Sequence, residues 1–492
     1  MKRGAQRSAV FSCVAAIVLA FNDVSASDGK TGPPSTRNAI AIENVTILPM
    51  SAGAAPVLDA TVIVEAGRIE TIGPSGATMV PPGMRRVDGT DKWLMPALSD
   101  MHVHVENARM AEAGTCPEAF DTADILLPYV ANGVLQVFNL SAMSESVGQR
   151  NEVESGRVLG PHMALAAMLD GSPAVRPGRA RSAGTPSDGR QAVRDIKVEG
   201  YEFVKTYERL DLPTFSAILD QAKLENLRVL GHIPARGEGI TEKFFQPGFE
   251  IVVHAEEYAY QSEQAGADPK AMSDDDIPRF AEMAKRNGTW LISTLSLNER
   301  IVEQTRSVQS LEARPEMAFV HPMIYKEWIE NNRYAKLASP ERLVRLERVV
   351  DFNRKVVQVF LQAGVPILPG TDSLIPGVVA GFALHDELEA MTRAGMTNAD
   401  VLTAATRLSA EWLGVAEDRG TVEQGKRADL ILLDGDPMSE IGNTRRISAV
   451  IAGGRYLARE TLDDMMEELA ARYAAMPGCG GVADVSGAHD DP

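Results

Sequence analysis

Cysteine is almost missing from this chain, with three in 492 residues, which excludes a disulfide-built scaffold. Aromatic residues make up only 5% of the sequence. Basic residues are outnumbered by acidic ones, 49 to 67, and the formal net charge is −18. Nucleic acids and anionic membrane surfaces are bound by basic patches, so neither is expected as the main partner. Beyond the N-terminus no apolar run approaches the roughly 20 residues that cross a bilayer. What is present is 45% hydrophobic and 24% charged sequence. That is enough for one large domain of about 250–300 residues and a smaller one.

The N-terminus has its own pattern. Lys2, Arg3 and Arg7 precede an apolar run over residues 9–21, and Val24-Ser25-Ala26 offers small residues at a cleavage site. Residues 1–26 therefore read as a secretory signal peptide removed after Ala26. A periplasmic or secreted protein without stable membrane insertion is the expectation. Export leaves Cys116 and Cys479, which either pair or stay free, since the sequence gives no distance between them.

Both ends of the remaining chain are rich in β-branched segments punctuated by turn residues. Residues 38–95 and 414–460 are expected to build one composite β-sandwich domain. Between them, over residues 96–413, short apolar runs alternate with amphipathic stretches, as in a parallel sheet wrapped by helices. Eight candidate strands stand at 98–104, 134–138, 163–167, 203–207, 228–233, 251–256, 290–295 and 365–371. Eight is the number of a (β/α)8 barrel of TIM type, so the expected fold class is α/β. Residues 171–190, rich in Gly, Pro, Ser and Arg, would hang over the barrel mouth. Residues 296–363 exceed what one barrel helix needs and carry helical periodicity, which suggests a helical lid. The Gly/Asp-rich residues 477–492 read as a flexible tail.

The sharpest local signal is Asp100-Met101-His102-Val103-His104 at the end of the first candidate strand. Alternation along a strand puts His102 and His104 on one face, where two imidazoles can chelate a metal, although such pairs also occur on solvated strands. Of only eight histidines in the chain, His232 and His254 also fall at candidate strand ends. Asp372 follows the eighth strand, where a carboxylate serves either as a helix cap or as a ligand. Lys205 lies in FVKTY between inward-facing Phe203 and Tyr207. A buried lysine is costly unless paired or chemically changed. Addition of CO2 to its amine would give N6-carboxylysine, an anionic group able to bridge two metals.

This order of residues resembles the amidohydrolase superfamily in its binuclear-metal class. LMPALSDMHVH is similar to the family's LMPGLIDMHTH, with Ala97 in place of the usual glycine, and GTVEQGKRADLILLDGDP is similar to GTIAPGKDADLVVLDGDP. The pattern GYEFVKTY, GHIPARG, VVHAEEY and PGTDS resembles the imidazolonepropionase-like and prolidase-like group, which includes Xaa-Pro dipeptidases. One departure is Thr206-Tyr207-Glu208-Arg209, where many prolidase-like members have Ser-Gly-Gly.

The resemblance implies that His102, His104 and Asp372 hold one divalent metal and that His232 and His254 hold a second. Carboxylated Lys205 would bridge the two. Zinc fits imidazole and carboxylate ligands with open positions. A metal-bridging hydroxide would attack an amide or peptide-like C–N bond of a dipeptide or N-acyl amino acid, with Asp372 moving the proton. Ester or lactone hydrolysis at the same centre is one alternative. A single-metal hydrolase of imidazolonepropionase or deaminase type is another. Against it stand Lys205, which a one-metal centre does not need, and Ala235, where deaminases place a glutamate.

Other residues are left with two readings each. Tyr207 either points at the site or packs in the core. His385 fits a supporting role better than a ligand role. Arg176, Arg179 and Arg181 either read a substrate carboxylate or belong to a solvated loop. His162, His321 and His489 are expected to be packing or surface residues. A homo-oligomer is compatible with the sequence.

Overall fold

The computed structural model describes residues 39–105, 121–234, 241–262 and 272–476. The expected signal peptide, the tail 477–492, Cys116, Cys479, Ala235 and His489 lie outside the described residues. Among the described residues no helix is long and apolar enough to cross a membrane.

Strands β1 (Ile40–Ile47), β2 (Val57–Glu65), β3 (Arg68–Pro74), β4 (Arg85–Asp88) and β5 (Trp93–Pro96) come first. The central strands follow as β6 (Leu98–Val103), β7 (Val134–Asn139), β8 (His162–Asp170), β9 (Ala180–Ser182), β10 (Phe203–Thr206), β11 (Arg228–Gly231), β12 (Phe249–Val253), β13 (Trp290–Ile292) and β14 (Ile367–Leu368). Strands β15 (Leu430–Leu433), β16 (Ile447–Ala452) and β17 (Arg455–Ala458) end the series.

The two chain ends share one sheet. Its order is β17-β16-β15-β5-β1-β2-β3, with β4 alongside β1. β15 lies antiparallel to β5 over Leu430 to Leu433, which joins sequence regions more than 300 residues apart through backbone hydrogen bonds. Alternation sorts its side chains: Leu430 and Leu432 face an apolar cluster within this sheet, whereas Ile431 and Leu433 join the core beneath the barrel helices.

The central strands run β6-β7-β8-β10-β11-β12-β13-β14, all parallel, with the short β9 added beside β8. The ring closes between first and last strands by a Val103–Ser373 bridge and by Met101 N donating to Pro369 O at 3.0 Å. All eight expected strands are present. Their near-continuous apolar character follows from burial on both faces. Helix-facing Val103, Val137, Val204 and Val252 enter the outer core, while Phe138, Phe203, Leu230 and Leu368 fill the interior. Trp412 closes the interior below, stacked 5.4 Å from Phe203. Residues 296–363 are largely helical as expected. The helix Pro340–Ala363 starts at Ser339, whose hydroxyl accepts from Arg342 N, and stops at Gly364 in the left-handed region at φ 78°.

His162, expected as a packing or surface residue, is buried and also carries ion pairs. At the start of β8 it joins barrel to sheet: Nδ1 meets Glu154 and Nε2 lies 3.1 Å from Asp429, just before β15. Arg427 and Arg419 stand nearby. Burial alone would depress this imidazole, but Asp429 and Glu154 outweigh it and hold the pKa above the ordinary value. A raised folded-state pKa contributes stability that is complete below about pH 6.5 and fades as pH rises through the folded value. His162→Gln should therefore cost about 2 kcal/mol in urea melts near pH 5.5 and much less near pH 9. An equal loss at both pH values would show that His162 acts by packing alone.

Candidate metal centre

All six residues singled out as ligands are buried at the C-terminal ends of the barrel strands. His102 ends its side chain 3.2 Å from Asp372 Oδ1, and His104 Nε2 is 2.8 Å from the same oxygen. These three offer ligand atoms within 4.8 Å of one another. Lys205, only 2% exposed, brings Nζ to 3.4 Å from His102 Nε2. The ring of His254 lies 4.6 Å from that of His102, and His232 lies 5.0 Å beyond His254. Four imidazoles, one carboxylate and one amine thus share a single mouth.

Backbone geometry, more than strand periodicity, places them. The eighth strand is shorter than the expected 365–371 because residues 369–373 leave the ladder and turn toward β6. Asp372 sits at φ 59°, and its N–H donates to His102 O at 2.8 Å. His254 at φ 78° and Thr294 at φ 45° adopt the same left-handed region just past β12 and β13. Non-glycine residues there cost energy, and three at one mouth mark a functional constraint. Gly231 at φ 145° lets β11 run against β10: a Cβ at this position would fall 2.2 Å from Thr206 O. This close approach lets His232 N donate to Thr206 O at 3.0 Å.

The residues fit a bound cation. Asp372 Oδ1 and His232 Nδ1 are buried and, among the described residues, have no partner at hydrogen-bonding angles. Burial pulls His104 down to about 4 and His254 to about 3, so both rings are neutral and able to ligate. Outer partners occupy their Nδ1 atoms. His104 Nδ1 shares a 2.7 Å hydrogen bond with Ser141 Oγ, and His254 Nδ1 a 2.9 Å bond with Thr294 Oγ1, leaving both Nε2 atoms for the centre. Burial lowers Lys205 to about 8, so its neutral amine is far more accessible than that of a solvated lysine. Burial opposes ionisation of Asp372, but His102, His104 and His254 hold its carboxyl well below the usual range.

Several supporting residues escaped the sequence reading. Asp100, fully buried, accepts from His102 N at 3.2 Å, Thr371 N at 3.1 Å and Thr371 Oγ1 at 2.7 Å, tying the first strand to the last. Burial pushes its pKa up to about 7. Glu387 accepts from Ser293 Oγ at 2.6 Å, Leu295 N at 2.9 Å and Ser296 N at 2.7 Å, and so fixes the turn that presents Thr294 to His254. Glu257 lies 3.0 Å from His232 Nδ1, with Glu208 at 3.8 Å, so two carboxylates face this imidazole. His385 is not at the centre: it links Thr444 of the sheet domain at 2.9 Å to Asn132 O at 3.1 Å. His321 is buried and caps the helix Pro322–Glu330.

The sequence profile of the Amidohydrolase family matches residues 93–457. The chain belongs to this family, a class of hydrolases acting on carbon–nitrogen bonds. An imidazolonepropionase from Thermoplasma volcanium is 37% identical over 86 residues, covering 17% of this chain and 20% of that enzyme. The chain therefore aligns with about a fifth of that relative. Among solved structures, a putative prolidase from Bifidobacterium longum superposes with a TM-score of 0.63 at 24% identity, covering 88% of this chain and 98% of the other. A Xaa-Pro dipeptidase with bound methionine in its active site gives 0.63 at 17% identity, with 85% and 100% coverage. At these identities the likeness concerns the fold.

Proposed function

We propose that this protein is an exported hydrolase that cleaves the amide bond of a small molecule, a dipeptide or an N-acyl amino acid, at a centre of two divalent metal ions. The observation that carries the proposal is the gathering of His102, His104 and Asp372 within 4.8 Å, with Lys205 Nζ 3.4 Å from His102. His102, His104 and Asp372 would hold one ion, His232 and His254 the other, and Lys205 as N6-carboxylysine would stand between them. Zinc suits this donor set. When bound, the ions supply Lewis acidity toward the scissile carbonyl and a water acidic enough to attack at neutral pH. Asp372 accepts the proton of that water at its carboxylate and returns it to the departing amine nitrogen. Burial of the ring of donors keeps bulk water out and strengthens each charge interaction.

Structures of like fold include a putative prolidase and a Xaa-Pro dipeptidase, with which dipeptide-like substrates are consistent. The test is elemental analysis of the purified mature protein together with turnover of a panel of dipeptides and N-acyl amino acids. Two metal equivalents with amide cleavage is the expected outcome. One equivalent would return Lys205 to the role of a free amine and favour the single-metal alternative, with Glu257 as its nearby carboxylate. Two equivalents with cleavage of esters or lactones alone would overturn the amide assignment.

A further inference from the structure

We propose that Glu387, on the helix that follows the eighth barrel strand, is a positioning residue for His254: it caps the helix that Thr294 begins and so frees the Thr294 hydroxyl to hold the imidazole toward the second metal ion. This deepens the two-metal reading above and rests on it.

The helix Leu295–Arg306 starts without the cap that its sequence offers. Thr294 stands at the N-cap, where a threonine ordinarily takes an extended backbone and accepts from an N–H of the first turn. Here it sits at φ 45° and makes no such bond. Its Oγ1 is instead 2.9 Å from His254 Nδ1. The open N–H groups of the first turn are met from another helix, Phe382–Arg393: Glu387 Oε1 accepts from Leu295 N at 2.9 Å and Oε2 from Ser296 N at 2.7 Å. The Ser293 hydroxyl also donates to Oε1, at 2.6 Å. Glu387, Ser293 and Thr294 are all fully buried. One carboxylate thus takes over the task of the N-cap side chain, and its negative charge suits the positive end of the helix.

Neighbouring bonds hold both ends of this relay. Arg300–Asp386 at 2.9 Å and Arg393–Glu299 at 2.6 Å staple the helix of Glu387 to the helix it caps. At the other end His254 N donates to Ile292 O at 2.9 Å and Ala255 N to Ser293 O at 3.2 Å, so the end of β12 is tied to the turn that Glu387 grips. The relay needs a carboxylate in particular. Its two oxygens meet three donors, whereas a carboxamide of the same shape has one acceptor oxygen and an NH2 group. The Ser293 hydroxyl can turn to accept, but the two backbone N–H groups cannot, so Glu387→Gln sets its NH2 against one of them. Ser296 is the second residue of the helix, and its N–H is one that an N-cap hydroxyl normally serves. Once Thr294 takes up that part, His254 loses the partner of its Nδ1.

The test titrates zinc into the metal-free full chain against a competing chelator. Wild type should bind two equivalents. Glu387→Gln should weaken one of them, the one that His254→Ala also loses, by about ten- to a hundredfold and leave the other within about threefold. Thr294→Val should give the same selective loss, and the double variant should be no weaker than the worse single one, because both changes break one relay. Equal weakening of both equivalents, additive losses, or wild-type affinities in Glu387→Gln would overturn the inference. Should Glu387→Gln not fold, Ser293→Ala removes only one of the donors: a selective loss of about three- to tenfold supports the relay, and no loss overturns it. If wild type binds a single equivalent, the two-metal reading fails by itself. Crystal structures of metal-free wild type and Glu387→Gln then decide the relay: Thr294 Oγ1 moving from His254 to Ser296 N supports it, and an unmoved Thr294 overturns it.

Discussion

Lys205→Ala is expected to remove at least one of the two metal equivalents and to lower turnover by about a thousandfold or more. The side chain is 2% exposed and ends 3.4 Å from His102, with Asp372 and Glu257 as the negative groups it feels. A lysine held there as an ammonium would repel any cation bound by His102. As a carbamate it would instead supply the negative charge that offsets the repulsion between two ions. Alanine supplies neither form, and the two histidines on each side lose their shared partner. Lys205→Glu should recover part of the metal binding, because a carboxylate imitates the carbamate charge while ending nearer the backbone. Elemental analysis and single-turnover rates read both effects. Retention of two metals and full turnover in Lys205→Ala would make the binuclear assignment wrong.

The barrel was legible in the sequence because each of its strands is buried on both faces and so reads as an apolar run. Lys205 was legible for the complementary reason, as a charge where the pattern demands an apolar residue. Asp100 meets the same criterion, buried in β6, but next to two histidines it was passed over. Strand ends were less legible. Asp372, His254 and Thr294 leave their ladders through positive φ, and no periodicity reports a left-handed residue. Glu387 was hidden differently: on an amphipathic helix a glutamate reads as solvent-facing, yet its partners Ser293, Leu295 and Ser296 lie about ninety residues earlier. Arg176, Arg179 and Arg181 look alike in the sequence, and only the fold separates them: Arg176 reaches the Tyr207 hydroxyl, Arg179 reaches Ser141 and Arg181 pairs with Glu199. His162, expected as a packing or surface residue, is buried, and its ion-pair role was hidden because its partners Glu154 and Asp429 stand 8 and 267 residues away.

Asp372→Asn should keep the fold and most of the bound metal while lowering kcat by about a thousandfold. The backbone there stands at φ 59°, which asparagine tolerates about as well as aspartate, so this change isolates the chemistry from the strain. Alanine would confuse the two by adding about 1 kcal/mol of left-handed strain to the loss of a ligand. An amide oxygen can still face His102 and His104 from the position of Oδ1, 3.2 and 2.8 Å away. It cannot accept a proton from attacking water, and it cannot hand one to the leaving nitrogen. KM should change little, because the change leaves the shape of the site as it is. A loss in kcat with unchanged KM and metal content therefore assigns proton transfer to Asp372. A parallel loss of metal would reduce its role to that of a ligand, and activity within about tenfold of wild type would remove it from the reaction altogether.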